Sequence, residues 1–330
     1  MTYRTLRVAL LALLALTVAL SARATLAFQA SPATPEAVTP QLPATVTDVN
    51  GKQVTVSDVS RIVPLSGDIA EIVWTLGLGK NIVGDDVSAV YPADLTKLPK
   101  IGFEQALSAE GILSLNPTLV IGKQQAGPPN VLDQVRAAGV PVVIVNEPST
   151  IEAPTAKIRE VAAALGLKDE GEALATKTQA QIDDALALAK TATSHPKVMF
   201  LYVRSGGVQL IGGAGSVADA MIAAAGGTDA GSAAGIQGFM PVTAEAVVSA
   251  QPDYIIVPQS GLDSIGGMDA LMKVPGVAQT PAAKNGHILA VDDLLLLSMT
   301  PRTGQALHDL ILAIHPELAS ATPEASPAAA

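Results

Sequence analysis

The sequence predicts an α/β protein with two lobes that are joined by one long helix and separated by a cleft. Three observations support this prediction. Short β-branched runs alternate with helical patterns, one segment occurs twice, and a stretch in the second third of the chain lacks proline. Strands that alternate with helices indicate α/β units with mainly parallel sheets.

The strand pattern consists of short, continuous apolar runs between Gly, Pro and polar residues. Such runs are typical of strands that are buried on both faces. They predict strands at residues 61–65, 118–121, 140–145, 198–203, 254–257 and 288–291. Helical patterns predict helices near residues 68–76, 130–138 and 217–225.

The repeated segment covers residues 107–121 and returns in similar form at residues 242–256, with a Gly-Phe pair before each copy. Each copy has a capping residue, a short helical pattern, a Pro and a buried strand. Ser108 and Thr243 can cap the two helices, and an acid follows each cap where the helix dipole favours negative charge. The repeat predicts duplicated, Rossmann-like lobes.

The long helix is predicted from residues 169–192, which lack Pro and are rich in Ala, Leu, Lys and Gln. At 1.5 Å per residue this helix would be roughly 36 Å long. We expect an N-terminal lobe over residues 48–168, a spine helix over 169–193 and a C-terminal lobe over 194–318. A stiff spine also predicts a small closing motion when a ligand binds.

The two ends of the chain differ from its centre. Residues 1–27 have a basic start, an apolar run and a small-residue cleavage site, which together indicate a secretory signal and export from the cytoplasm. An uncleaved signal that holds the protein at the membrane is the alternative. Residues 28–47 predict a flexible tether and residues 319–330 a disordered tail. The sequence has no cysteine, so we expect neither disulfides nor a lipid-anchored cysteine.

Composition and spacing argue against several functions. The formal charge of −10 and the pI near 4.8 disfavour a nucleic-acid partner. The four histidines have no metal-ligand spacing, so no metal site is assigned. The glycine-rich loops at 205–207 and 212–215 match neither a nucleophile elbow nor a phosphate-binding loop. We therefore expect no enzymatic activity and no catalytic cofactor; an exported α/β enzyme is the alternative from another class.

A family resemblance adds to this interpretation. It is carried by short motifs between residues 48 and 316: Ala70-Glu71-Ile72-Val73, Tyr91-Pro92-Ala93, Leu98-Pro99-Lys100-Ile101-Gly102, Ala126-Gly127-Pro128-Pro129, Ala218-Asp219-Ala220-Met221-Ile222 and Pro301-Arg302-Thr303. The chain resembles the helical-spine class of ABC-importer solute-binding proteins, and its hemin-binding branch most closely. The resemblance implies a monomer that binds hemin as its transported ligand and delivers it to a membrane permease. A corrinoid or iron–siderophore receptor is the alternative within the class.

The resemblance also implies a docking role for two acids. In relatives, one glutamate on each lobe docks onto arginines of the permease, and the matching residues here are Glu110 and Glu245. The alternative is that both acids only complement the dipoles of their helices.

The iron-binding residues do not follow from the resemblance. Phe103, Phe239 and the loop that begins at Arg204 stand where hemin-binding relatives carry their usual Tyr or His donors. Phe103 and Phe239 can face a flat macrocycle from opposite lobes, or they can be core residues. The axial iron donor therefore stays open.

The remaining candidates for the ligand site are four side chains with possible donor atoms and two arginines. Tyr91, Tyr202, Met240 and Met299 can approach the cleft as donors, and a turn, core or rim role is the alternative for each. Arg204 and Arg302 can pair with the propionates of a macrocycle, because guanidinium binds carboxylate in bidentate fashion. Surface salt bridges are the alternative for these two arginines.

Overall fold

Two larger β-sheets and one two-stranded sheet, β1-β2, organise residues 38–319, which are the residues that the computed structural model describes. The strands are β1 (Ala44–Thr47), β2 (Gln53–Val56), β3 (Ile62–Pro64), β4 (Leu119–Lys123), β5 (Val142–Val145), β6 (Lys197–Arg204), β7 (Val208–Gly212), β8 (Thr228–Asp229), β9 (Phe239–Pro241), β10 (Tyr254–Pro258) and β11 (Ile288–Val291). The α-helices are α1 (Gly67–Val73), α2 (Ala109–Leu113), α3 (Pro129–Ala137), α4 (Ala153–Ala164), α5 (Lys168–Ala189), α6 (Val217–Ala224), α7 (Ala230–Ala233), α8 (Ala244–Ala250), α9 (Gln259–Ile265), α10 (Met268–Leu271), α11 (Pro281–Asn285), α12 (Asp293–Leu297), α13 (Thr303–Ile314) and α14 (Pro316–Ala319).

The two larger sheets have different strand arrangements. The first sheet has the order β3-β4-β5 and is fully parallel. The second sheet has six strands in the order β11-β10-β6-β7-β9, with β8 also paired to β6. Strands β11, β10, β6 and β8 are parallel, β7 is antiparallel to β6, and β9 is antiparallel to β7. We call the elements around the first sheet the first lobe and those around the second sheet the second lobe. The parallel strands agree with the predicted α/β class, whereas the antiparallel pair β7 and β9 was not predicted.

The strands of both lobes are covered on two faces, which explains their continuous apolar runs. In β4, Leu119 and Ile121 belong to one hydrophobic cluster, and the intervening Val120 belongs to the cluster on the opposite face. In β10, Ile255 and Ile256 separate in the same way. Successive side chains of a strand point to opposite faces, so each lobe has apolar layers on both sides of its sheet.

The duplicated segments form the same structure in both lobes. The Ser108 hydroxyl accepts a hydrogen bond from the Gly111 N–H at the start of α2, at 3.0 Å. The Thr243 hydroxyl caps α8 in the same manner at 3.1 Å. Asn116 and Gln251, at equivalent positions before the prolines, both have a left-handed backbone with φ of 47° and 46°. The predicted caps and short helices of the repeat are thus confirmed.

The long helix expected at residues 169–192 is α5, which runs from Lys168 to Ala189. It packs closely on a helix of each lobe. A Cβ atom added at Gly171 would lie 2.2 Å from the Ala162 Cβ of α4, and one added at Gly304 of α13 would lie 2.5 Å from the Gln181 Cβ of α5. Glycine at these two contacts therefore lets α4 and α13 approach the spine. The predicted boundaries of the two lobes stay a prediction.

One part of the predicted tether is folded instead. Residues 28–47 were expected to be flexible, yet Ala44–Thr47 is β1 and pairs antiparallel with β2. Leu42 and Val46 pack against the first-lobe core, and the Gln41 N–H bonds the Gly166 carbonyl at 2.8 Å. The prediction of a flexible tether was wrong for residues 38–47. These residues are held by contacts with distant parts of the chain, and such contacts leave no periodic pattern of apolar residues in the local sequence.

The other terminal predictions concern the ends of the chain. The signal over residues 1–27, the first part of the tether and the tail from residue 320 lie outside the described residues. Within residues 38–319, no helix combines the length and the apolar character needed to cross a membrane.

Candidate ligand-binding site

A cavity of about 700 Å³ lies between the lobes, and its walls are formed where parallel strands end. In the first lobe, Asp68 follows β3, Lys123 ends β4 and Glu147 follows β5. Open parallel sheets bind ligands beyond the carboxyl ends of their strands. The volume lies within the range of small-molecule sites, about 300–1,000 Å³.

The second lobe contributes its wall in the same way. Arg204 is the last residue of β6, Ser260 follows β10, and Asp293 follows β11. The three strands are adjacent and parallel, so their carboxyl ends meet at one edge of the sheet. Each lobe therefore presents the same edge to the cavity, as expected for a duplicated fold.

Three of the predicted ligand residues line this cavity. They are Phe103, Tyr202 and Arg204. The Phe103 side chain is half-exposed. Tyr202 is only partly exposed, because it lies on β6, an inner strand of its sheet. Phe103 thus lies at the cavity, and its contact with a ligand stays a prediction.

The other five predicted ligand residues are not among the described residues that line the cavity: Tyr91, Phe239, Met240, Met299 and Arg302. Met299 is 1% exposed and packs in the second-lobe core, so its predicted approach to the cleft is wrong. Phe239 and Met240 are exposed on β9. The Phe239 ring contacts the Tyr202 ring edge to face, with 6.3 Å between centroids.

Arg302 forms a contact between the lobes instead of a ligand contact. Its guanidinium donates two hydrogen bonds of 2.9 Å to the carboxylate of Glu71 in α1, and Glu71 is 1% exposed. The same guanidinium stacks 3.6 Å from the centroid of the Tyr91 ring. The prediction that Arg302 pairs with a propionate is wrong because Glu71 already occupies its bidentate face.

A buried ion network lies behind the first-lobe wall. Lys157 of α4 is fully buried, and its ammonium group donates to Asp68, to Glu147 at 3.3 Å and to the Ser298 carbonyl of the second lobe at 2.8 Å. Lys123 lies 2.8 Å from Glu147 and 3.4 Å from Asp68. Two ammonium groups thus share two carboxylates, which offsets the desolvation of all four charges.

The network shifts the pKa of its members. Burial raises the pKa of Asp68, but the charges of Lys123 and Lys157 outweigh burial and hold this pKa well below its usual range. Burial lowers the pKa of Lys123, yet Asp68, Glu147 and Glu104 raise it above its ordinary value. Asp68 and Lys123 are therefore charged at neutral pH.

Glu104 behaves differently, although it lines the same wall. Burial raises the pKa of Glu104 to about 7, because Lys123 compensates only in part and the neighbouring carboxylates of Asp68, Glu147 and Asp86 raise it further. Its nearest ammonium atom, on Lys123, is 3.6 Å from Oε2. Glu104 therefore exchanges its proton near neutral pH.

In the second-lobe wall, the Tyr202 ring lies next to the ion pair of Arg204 and Asp293. The Arg204 guanidinium lies 4.7 Å from the centroid of the Tyr202 ring and pairs with Asp293. The Ser260 hydroxyl donates to the same Asp293 carboxylate at 2.6 Å. Arg204 is thus held over the Tyr202 ring by a charge-assisted hydrogen bond. Among residues 38–319, no group of three or more His, Cys, Asp or Glu side chains is arranged to hold a metal ion.

Comparison with known proteins identifies the family. A family model described as periplasmic binding protein matches residues 62–294, which is most of the described chain. This chain belongs to the periplasmic binding protein family. The predicted resemblance to solute-binding proteins is thereby confirmed.

Solved structures of similar proteins share this fold. The periplasmic heme-binding protein RhuT from Roseiflexus sp. RS-1 is 52% identical, with a TM-score of 0.77 over 79% of this chain and 100% of that chain. The heme binding protein HmuT is 38% identical, with a TM-score of 0.79 over 84% of this chain and 92% of that chain. These matches confirm the predicted fold class.

The curated relatives of this chain are more distant. The uncharacterized ABC transporter substrate-binding lipoprotein YvrC of Bacillus subtilis is 25% identical over 83% of this chain and 86% of its own length. The vitamin B12-binding protein of Vibrio campbellii is 23% identical over 76% of this chain and 87% of its own length.

The sequence interpretation missed most of the charged cavity wall in this periplasmic binding protein. Asp68, Lys123 and Glu147 belong to no sequence motif. Lys123 pairs with Asp68 and with Glu147 in the structure, and both partners are far from it in the chain. Their common signal is position, since each stands at or just after the end of a predicted parallel strand. The rule for ligand sites at strand ends could have selected them.

Proposed function

We propose that this protein is the extracytoplasmic receptor of an ABC importer and that it binds hemin in the cavity between its lobes. The protein works by binding and delivery, and not by catalysis. It is supported by the cavity at the strand ends of two duplicated lobes and by 52% identity to a heme-binding protein. We also propose that residues 1–27 direct its export and that it acts as a monomer.

The observation that carries the hemin proposal is the phenol of Tyr202 on the cavity wall beneath a guanidinium. Tyrosine oxygen is one of the known axial ligands of heme iron. The positive charge of Arg204 would stabilise the negative oxygen of an iron-bound phenolate. We assign iron ligation to Tyr202 and stacking on the macrocycle to Phe103, whose half-exposed ring lines the same cavity.

Hemin titration of the Tyr202→Phe variant tests this assignment. We expect the variant to bind hemin at least about tenfold more weakly, which corresponds to the loss of about 1.4 kcal/mol. It should also lose the charge-transfer absorption of a phenolate–iron bond. Tyr91→Phe is the matched control, because Tyr91 is exposed and lies outside the cavity lining, and it should keep both properties. An unchanged spectrum in Tyr202→Phe would refute iron ligation by this phenol.

A corrinoid is the second candidate cargo. The observation in its favour is the match to a vitamin B12-binding protein over 76% of this chain. Thermal unfolding in the presence of hemin, cobalamin or an iron–siderophore separates the candidates, because a ligand that binds only the folded state raises the unfolding temperature. A shift with cobalamin and none with hemin would favour the corrinoid.

We further propose that Glu110 and Glu245 dock the receptor onto its permease. Both acids are exposed in the first turn of equivalent helices, α2 and α8, after equivalent caps. A negative charge on each lobe suits a permease with two similar halves, since complementary charges orient an encounter.

A further inference from the structure

Three side chains form a row at the carboxyl ends of neighbouring strands in the second lobe. Arg204 is the last residue of β6, Ser260 comes just after β10 and Asp293 just after β11, and β10 lies between the other two strands. Neighbouring strands lie about 4.8 Å apart, so the strands that carry Arg204 and Asp293 are about 10 Å apart. The long Arg204 side chain therefore crosses the end of β10 to pair with Asp293.

The backbone leaves room for this crossing at Gly261, in the first turn of α9. A Cβ atom added at Gly261 would clash with Nη1 of Arg204 and with the Val203 carbonyl oxygen. A larger residue at this position would push the guanidinium group away. The path of Arg204 thus depends on a glycine in the segment that follows the neighbouring strand.

Asp293 holds the far end of Arg204 and is itself held by Ser260. The Oδ2 atom of Asp293 accepts hydrogen bonds from the Arg204 guanidinium and from the Ser260 hydroxyl, the latter at 2.6 Å. The Oδ1 atom accepts from the Ser260 N–H at 3.2 Å. The two bonds from Ser260 fix the carboxylate, and a fixed carboxylate orients the planar guanidinium that pairs with it.

The orientation of Arg204 matters because the guanidinium lies over the ring of Tyr202. Its central carbon is 4.7 Å from the ring centroid, which is within the range of a cation–π contact. The Arg204 and Asp293 side chains are each 27% exposed, so water competes for the guanidinium once Asp293 is removed. An arginine side chain carries about 2 kcal/mol of rotamer entropy, which favours its departure from the ring when no partner holds it.

We propose that Asp293 is a positioning residue that keeps Arg204 over the Tyr202 phenol and thereby gives the cavity a preference for ferric over metal-free tetrapyrroles. This inference rests on the proposed hemin receptor function and on iron ligation by Tyr202. Asp293 acts through Arg204, whose positive charge stabilises the negative oxygen of an iron-bound phenolate. A metal-free macrocycle forms no bond to the phenolate, so its affinity gains nothing from this charge.

The position and the charge of Asp293 act in opposite directions. By holding Arg204 in place, the carboxylate strengthens iron ligation, whereas its negative charge offsets part of the positive charge of Arg204. Asp293→Leu removes both the hydrogen-bond acceptor and the charge, whereas Asp293→Asn removes the charge and keeps an acceptor. A positioning role therefore predicts that Asp293→Leu weakens iron ligation much more than Asp293→Asn does.

The test compares hemin with metal-free protoporphyrin IX, which has the same peripheral groups and lacks the iron. Soret titration gives both affinities, and the ratio of hemin to protoporphyrin affinity isolates the contribution of the iron. In the wild type we expect this ratio to be at least about tenfold. Asp293→Leu should lower hemin affinity by about tenfold, leave protoporphyrin affinity within about twofold and weaken the charge-transfer absorption of the phenolate–iron bond.

A double-mutant cycle shows whether Asp293 acts through Arg204. Arg204→Met should lower the ratio about as much as Asp293→Leu, and the double variant should be no worse than Arg204→Met within about twofold. Ser260→Ala removes one bond to Asp293, should lower the ratio in part, and provides the test if Asp293→Leu does not fold. Asp263→Asn is the control for wall charge, since Asp263 is exposed and accepts from Gln259, and it should leave the ratio unchanged.

Three results would overturn the inference. They are an equal loss of hemin and protoporphyrin affinity in Asp293→Leu, a loss in Asp293→Asn as large as in Asp293→Leu, and a further loss when Asp293→Leu is added to Arg204→Met. Failure of the proposed function looks different, because the wild type would then bind no hemin, and failure of iron ligation would leave the ratio unchanged in Tyr202→Phe. A ratio that falls in Tyr202→Phe but stays at the wild-type value in Asp293→Leu would refute only the role of Asp293.

Discussion

Replacing Arg302 by methionine should destabilise the protein strongly, because the contact between Arg302 and Glu71 is a buried ion pair between lobes. The pair has two hydrogen bonds of 2.9 Å, Glu71 is 1% exposed and the Arg302 side chain is 20% exposed. Removing one partner of such a pair costs about 3–5 kcal/mol, since it leaves an uncompensated charge in the interior. The stacking on Tyr91 is lost as well, which adds about 0.5–1 kcal/mol.

Urea unfolding, followed by the fluorescence of Trp74, which is the sole tryptophan, measures this loss. The double variant Glu71→Met/Arg302→Met should recover at least half of the loss, because it removes both charges and leaves none unpaired. Hemin binding by either variant should stay near the wild-type value, since neither side chain lines the cavity.

Arg159 and Glu172 provide a matched control within the same chain. They also form two hydrogen bonds, of 2.7 and 2.8 Å, but their side chains are 48% and 59% exposed. Solvent screens an exposed pair, so Arg159→Met should shift the urea midpoint by less than about a quarter of the Arg302→Met shift. Equal midpoint shifts in the two variants would refute the reasoning that burial gives the pair between lobes its strength.

Three further predictions concern other parts of the molecule. Because burial raises the pKa of Glu104 from 4.5 to about 7, ionising it costs the folded state stability as the pH rises, so Glu104→Gln should be more stable than wild type by about 2–3 kcal/mol at pH 8 and equal to it near pH 4. Glu110→Gln/Glu245→Gln should reduce uptake by cells and binding to the permease without changing hemin affinity. Gly171→Ala should destabilise the protein by about 1–3 kcal/mol, because its new methyl group would clash with α4.

Each of these predictions has its own check. Chemical unfolding of Glu104→Gln across the pH range would contradict the first if the stability difference from wild type stayed constant. Asp169→Asn, an exposed first-turn acid of the spine, is the control for the docking acids, and an equal loss of uptake in this variant would exclude a specific docking role. For Gly171→Ala, an unchanged or raised thermal unfolding temperature would show that α4 and α5 accommodate the methyl group.

Local patterns in the sequence were sufficient for much of the fold. The buried strands, the capping residues Ser108 and Thr243, and the spine near residues 168–189 follow from apolar periodicity, side-chain hydrogen bonding and helix propensity, all of which act over a few residues. The repeat then required two similar lobes, and the resemblance carried by short motifs indicated the cargo class.

The tertiary structure decided which side chains meet. Glu71 and Arg302 are 231 positions apart, and Lys157 and Asp68 are 89 apart. No local pattern links such residues, because their pairing depends on how whole lobes pack around the spine. The sequence alone could therefore offer Arg302 as a ligand residue, whereas the fold gave it a buried partner and left the cavity to Tyr202, Phe103 and the charged ends of the parallel strands.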